Sequence, residues 1–280
     1  GVRKLAPIQE LSVDVVRLDF GFDVQLVAEW TRQRDLKIEL NASTIDDRLF
    51  AEILNSGANL EQIQACHNYY PRPDTGLGFE LFARRSALFR SYGISVAAFI
   101  PSLANPRGPI FAGLPTVEKH RAMKPVTAAK ELMYSGLVDC ILFGDPLAGD
   151  SEIAAVGRLD PGVIELDVMP VDALTGAERD ILFAGHQNRY DPGEKVIRSS
   201  ESRSMAGQSI APRFSTARVL GDITIDNERY LRYMGELQLV TGNLPADERV
   251  NTVARVVPDE LDLIQYIKPG AQFRFQVGSY

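Results

Sequence analysis

Histidine, cysteine and long apolar runs are scarce in this chain. Among its 280 residues there are three histidines, His67, His120 and His186, and two cysteines, Cys66 and Cys140. The histidines lack HxH or HExxH spacing, so no metal centre built on them is expected. The cysteines form no CxxC pair and both fall in apolar runs. That predicts buried thiols, a reducing cytoplasmic compartment and no catalytic cysteine. No apolar stretch approaches the ~20 residues of a membrane-spanning helix, and no secretory leader is visible. There is no P-loop, no GxGxxG and no GxSxG, so neither a nucleotide cofactor nor a nucleophilic serine is predicted, and no cofactor of another kind is expected. Lys/Arg runs are also missing and the formal net charge is −7. Nucleic acid is therefore a poor partner, and any anionic ligand has to be held by local basic groups.

What is present reads as a soluble α/β protein in two parts. Hydrophobic residues make up 45% and charged residues 24%, as in globular enzymes. Five apolar runs end in polar residues: Val13–Leu18 at Asp19, Leu36–Leu40 at Asn41, Ile63–Cys66 at His67, Ile94–Ile100 at Ser102, and Val138–Phe143 at Asp145. Near-continuous Val/Ile/Leu/Ala runs suit parallel strands covered on both faces. Helical spacing lies between them, as at Val24, Val27, Ala28 and Thr31, or Phe79, Phe82 and Ala83. This alternation predicts a (β/α) barrel, with an open α/β sheet as the simpler alternative. A full barrel has eight such units of roughly 30 residues. Five are visible, so three more are expected before Gly1. After residue 150 the chain turns strand-rich, with turns such as Asp191-Pro192-Gly193 and Lys268-Pro269-Gly270 between short runs. A small, closed or nearly closed β domain is predicted over residues 159–280, following a barrel portion over 1–158.

Barrel active sites lie at the C-terminal strand ends. That rule selects Asp19, Asn41, His67, Asn68, Ser102 and Asp145. The loop His67-Asn68-Tyr69-Tyr70-Pro71-Arg72-Pro73-Asp74-Thr75-Gly76-Leu77 crowds aromatic, basic and acidic groups together, which is unusual for a connector. Arg107 follows the fourth run. Thr116 reads as the cap of a helix carrying Glu118, His120 and Arg121. Glu118 itself reads either as a functional carboxylate or as a partner of the helix dipole.

Several blocks, in order, resemble the 6-phospho-N-acetylmuramidase family. They are Val15–Phe22, Leu40–Thr44, His67–Leu77, Ala98–Pro101, Arg107–Pro109, Gly113–Arg121 and Phe143–Asp145, with a weaker match at His186–Arg189 and Val196–Ser199. The resemblance implies a TIM barrel, of which the five runs are strands four to eight, followed by a cyclophilin-like β domain. It implies cytoplasmic cleavage of the disaccharide of 6-phospho-N-acetylmuramic acid and N-acetylglucosamine during peptidoglycan recycling.

Glycoside hydrolysis needs two carboxyl groups. Asp19 is expected to be the general acid in apolar surroundings, and Glu118 the base or nucleophile, with Asp145 as the rival. Arg72, Arg107 and Arg121 are expected to converge on the substrate's anionic groups, with Asn41, His67, Asn68, Tyr70, His120 and, from the second domain, Arg198 as further contacts. Tyr69 or Tyr70 suits stacking on a sugar. Two other readings stand beside this one. A phosphosugar aldolase or isomerase would want a lysine or metal at a strand end, and no lysine ends a strand. A non-hydrolytic phosphosugar-binding or regulatory module would keep the arginines and need no carboxyl pair.

Overall fold

The computed structural model describes residues 13–32, 36–213 and 215–278. They fall into two compact units, divided between Arg158 and Leu159.

In the first unit five strands form one sheet: β1 (Val15–Leu18), β2 (Lys37–Asn41), β3 (Ile63–Cys66), β4 (Val96–Ile100) and β5 (Cys140–Phe143). Their spatial order equals their chain order and every neighbouring pair is parallel. All five C-terminal ends therefore open on one rim, as the sequence pattern predicts. Helices connect them: α1 (Val24–Thr31), α2 (Asp47–Asn55), α3 (Phe79–Ser91) and α4 (Pro125–Tyr134), with α5 (Asp150–Gly157) after β5. The starts of α1 and α2 are set by Asp23 and Asp46, whose carboxylates accept from the backbone N–H of Gln25 and Leu49. α4 begins on Pro125, whose missing N–H costs nothing there.

Side chains alternate across a strand. Ile38, Leu40, Ala65 and Val96 join Val27, Trp30, Phe50, Ile53 and Phe89 in one core. Each large side chain buried there contributes roughly 1.5–3 kcal/mol. The other face carries Arg17, Glu39, Gln64, Cys66 and Phe99. The expectation of two buried thiols holds for Cys66 alone. Cys140 is exposed, because it alternates onto the same face as Ala97 and Leu142, and Leu142 is exposed as well.

The second unit is a seven-stranded mixed sheet: β6 (Ile164–Pro170), β7 (Gly185–Gln187), β8 (Val196–Arg198), β9 (Asp222–Asp226), β10 (Leu237–Val240), β11 (Val250–Val256) and β12 (Gln272–Val277). The order is β7-β12-β6-β11-β9-β10-β8, and only β12 and β6 pair in parallel. An antiparallel bridge between Asn188 and Ser199 brings the two outer strands together, so the sheet nearly closes. β7 is not foreseen from the sequence. Three residues with Gly at the start carry too little alternation to register.

Candidate functional site

Arg17 organises the rim. It lies two residues before Asp19, and Glu39 lies two before Asn41, so all four share the face opposite the helices. The guanidinium donates from Nε to Asp19 Oδ1 at 2.8 Å, from Nη1 to Glu39 Oε1 at 3.0 Å and from Nη2 to Asn68 Oδ1 at 2.8 Å. The Asn41 amide donates to Asp19 Oδ1 and to Asn68 Oδ1, both at 3.0 Å. Gln64 donates to the second oxygen of Glu39 at 2.7 Å. Two carboxylates thus face one opening across a shared guanidinium. The Asp19 side chain is 47% exposed. Its surroundings are polar, in contrast to the apolar setting expected from its neighbours in sequence. Val16 and Leu18 alternate toward the helices while Phe20 stands in solvent.

His67 is enclosed by the protein. It is fully buried, with Nδ1 3.1 Å from Ser43 Oγ and Nε2 3.0 Å from Ser86 Oγ. Burial, reinforced by the charges of Arg17 and Arg85, pushes its pKa down to about 3, so it is a neutral imidazole. Its effect on the rim is indirect, because Ser43 Oγ also accepts the backbone N–H of Asn68 at 2.9 Å. His120 is likewise buried, its Nε2 2.7 Å from the buried Glu131 carboxylate.

The two other expected carboxylates hold loops. Glu118 accepts from the backbone N–H of Asp74 and Gly76 and from Nε and Nη2 of Arg121, at 2.6–2.9 Å. The Arg121 hydrogen bonds, with those backbone donors, hold its pKa down at about 2 despite partial burial. Gly76 is required for this clasp. A Cβ there would lie 2.5 Å from Glu118 Oε2 and 2.9 Å from its backbone. Asp145, 2% exposed, accepts three backbone N–H groups, from Ser102, Arg107 and Leu114. Arg121 spends its remaining donors on the carbonyls of Tyr70, Arg72, Ala112 and Gly113. It is a strap across two loops, and the expected convergence of three arginines on an anion does not include it. Thr116 caps no helix. Its hydroxyl donates to Asn68 O and accepts from Phe99 N, tying loop to strand.

Arg107 and Arg72 remain exposed. Arg107 donates to Tyr69 Oη at 3.3 Å and lies over that ring at 5.2 Å, which covers the face of Tyr69 expected to stack on sugar. Tyr70 is half-buried and its backbone is spent, N–H to Pro115 and carbonyl to Arg121. In the second unit Arg198 forms a bidentate pair with the Glu236 carboxylate at 2.8 and 3.0 Å.

Arg17 and Glu39 are the functional candidates that sequence reading passes over. Their signal is a charge inside an otherwise apolar strand, two residues before a polar strand end. The described residues contain no grouping of three or more His, Cys, Asp or Glu suited to a metal ion.

Two family models match the chain: one described as 6-phospho-N-acetylmuramidase, N-terminal, over residues 1–158, and one described as 6-phospho-N-acetylmuramidase, C-terminal, over residues 164–276. Two solved structures are similar. An uncharacterized B. cereus protein superposes with a TM-score of 0.91 at 36% identity, covering 97% of this chain and 80% of that one. A conserved Enterococcus faecalis protein of unknown function superposes with a TM-score of 0.73, also at 36% identity, covering 99% and 75%. No curated protein matches.

Proposed function

The chain belongs to the 6-phospho-N-acetylmuramidase family, and from that premise we propose that it hydrolyses the glycosidic bond between 6-phospho-N-acetylmuramic acid and N-acetylglucosamine in cytoplasmic recycling of peptidoglycan. The proposal includes the family architecture, a TIM barrel followed by a cyclophilin-like domain. The observation that carries it is the accessible carboxylate of Asp19 at a strand end, oriented by Arg17 and Asn41 and facing Glu39 across the same guanidinium.

Glycoside cleavage asks for one carboxyl group that gives a proton to the leaving oxygen and one that attacks or activates water. Asp19 and Glu39 are the pair we assign. Glu118 and Asp145 are engaged by loop donors and keep the rim in shape. Asn41 and Asn68 present amides suited to sugar hydroxyls. The exposed guanidiniums of Arg107 and Arg72 suit the phosphate and the lactyl carboxylate.

A binding module without turnover would use the same arginines and would not need Asp19. Incubation of the purified protein with the phosphorylated disaccharide, followed by mass spectrometry, separates the two. Hydrolysis releases N-acetylglucosamine and 6-phospho-N-acetylmuramic acid, and the dephosphorylated disaccharide reacts far more slowly. Intact disaccharide after prolonged incubation contradicts the proposal.

A further inference from the structure

The loop between β4 and the 3₁₀ turn Glu118–Ala122 is pinned at both ends and free at its tip. Asp145 holds the backbone N–H groups of Ser102, Arg107 and Leu114, and Arg121 holds the carbonyls of Ala112 and Gly113. At the tip, Ile110 is exposed and Phe111 is 67% exposed. Phe111 has φ +58°, in the left-handed region that is unfavourable for a side-chain-bearing residue. An exposed ring recovers little of that cost through burial. The conformation is nonetheless defined. The Phe111 N–H donates to Arg107 O at 3.2 Å. The far edge of its ring rests over Gly108, where a Cβ would lie 2.9 Å from it. Strain retained at an over-determined, exposed position is a mark of functional sites.

We propose that Phe111 is a stacking platform for the uncharged N-acetylglucosamine ring of the substrate, an inference that rests on the hydrolase reading above. Three points select this ring and this residue. The same loop carries Arg107, which meets Tyr69 on the neighbouring loop, so its tip belongs to the rim that carries Asn68. Tyr69 has Arg107 over one face and packs edge-on against Phe99 at 5.2 Å, and Tyr70 is half-buried, so Phe111 is the most exposed aromatic ring of the two loops. The muramic ring bears two anionic groups and belongs with guanidiniums and amides. The uncharged ring has a C–H face that suits an aromatic surface, and that surface brings large contact area at small entropic cost.

The test is calorimetric binding in an Asp19→Asn background, where ligand is not consumed. It compares the phosphorylated disaccharide with 6-phospho-N-acetylmuramic acid alone. Phe111→Ala and Phe111→Gly should each weaken the disaccharide about five- to tenfold. Both should leave the monosaccharide within about twofold, and Phe111→Trp should keep both affinities. Glycine accepts φ +58° without strain, so Phe111→Gly should melt no lower than its parent, and a loss of affinity in it is not a folding defect. Equal weakening of both ligands, or no weakening of either, overturns the platform. A parent that binds neither ligand contradicts the hydrolase reading, and the platform falls with it.

Discussion

Asp226, in β9 of the second unit, is buried to 3% exposure, and its Oδ1 has no hydrogen-bond partner among the described residues. Burial, then the nearby charges of Glu236 and Asp247, raise its pKa from 3.8 to about 7. A carboxyl group whose folded pKa is raised binds a proton on folding between those values. Its favourable contribution is therefore complete below about pH 4 and is lost as pH rises to 7. Asp226→Asn should raise the melting temperature at pH 8 by about 2–4 °C and change it little at pH 4, as read by calorimetry. An equal shift at both pH values would refute the assignment. His67 illustrates how far a single residue can be read from sequence. Its place at a strand end is legible, and the Ser43 and Ser86 hydroxyls that enclose it are not, because they come from 24 residues before and 19 residues after. The same holds for Asp19. Phe20 and Phe22 suggest apolar surroundings, while Arg17 and Asn41 decide the environment through strand alternation and pairing.

At the scale of elements, the loops after β3 and β4 act as one body. Tyr70 N–H donates to Pro115 O, Leu77 N–H to Thr116 O and Glu118 N–H to Leu77 O, and the Glu118–Arg121 pair locks the arrangement. Glu118→Gln should leave β3 and β4 protected while amide hydrogen exchange rises across residues 70–77. Unchanged exchange there would show that the carboxylate is dispensable to the loop. Because the folded pKa of Glu118 is depressed to about 2 from 4.5, its stabilisation is present above about pH 4.5 and fades as pH falls toward 2. The stability gap between wild type and Glu118→Gln should close over that window in urea titrations. A gap independent of pH would contradict it. Strands and helices of this unit are legible from apolar runs and periodicity. Thr116 is not, since a threonine two residues before Glu118 reads as a cap and only the tertiary contact with Phe99 and Asn68 shows otherwise. β7 is missed for the opposite reason, being too short to show a period.

The whole molecule is two units joined across an exposed stretch that includes Arg158, Asp160, Pro161 and Gly162. Limited trypsin treatment should cut after Arg158 before any site inside a strand, giving fragments that end at 158 and begin at 159. First cuts inside strands, after Arg17, Arg255 or Arg274, would argue against two compact units. The division is legible in sequence because helical periodicity gives way to short strands and turns near residue 160. The parallel order of β1 to β5 follows from the same alternation, since helical crossovers require it. The mixed order of the second sheet, with β12 beside β6, is not legible, because short strands of like composition carry no label for their partners. The catalytic role of Asp19 is read by single-turnover kinetics on the phosphorylated disaccharide. Asp19→Asn should slow bond cleavage by ~100-fold or more while the disaccharide still binds with nearly wild-type affinity. Retention of more than about a tenth of the wild-type rate, less than the usual effect of losing a catalytic acid or base, would mean that Asp19 is not one of the two catalytic carboxyl groups.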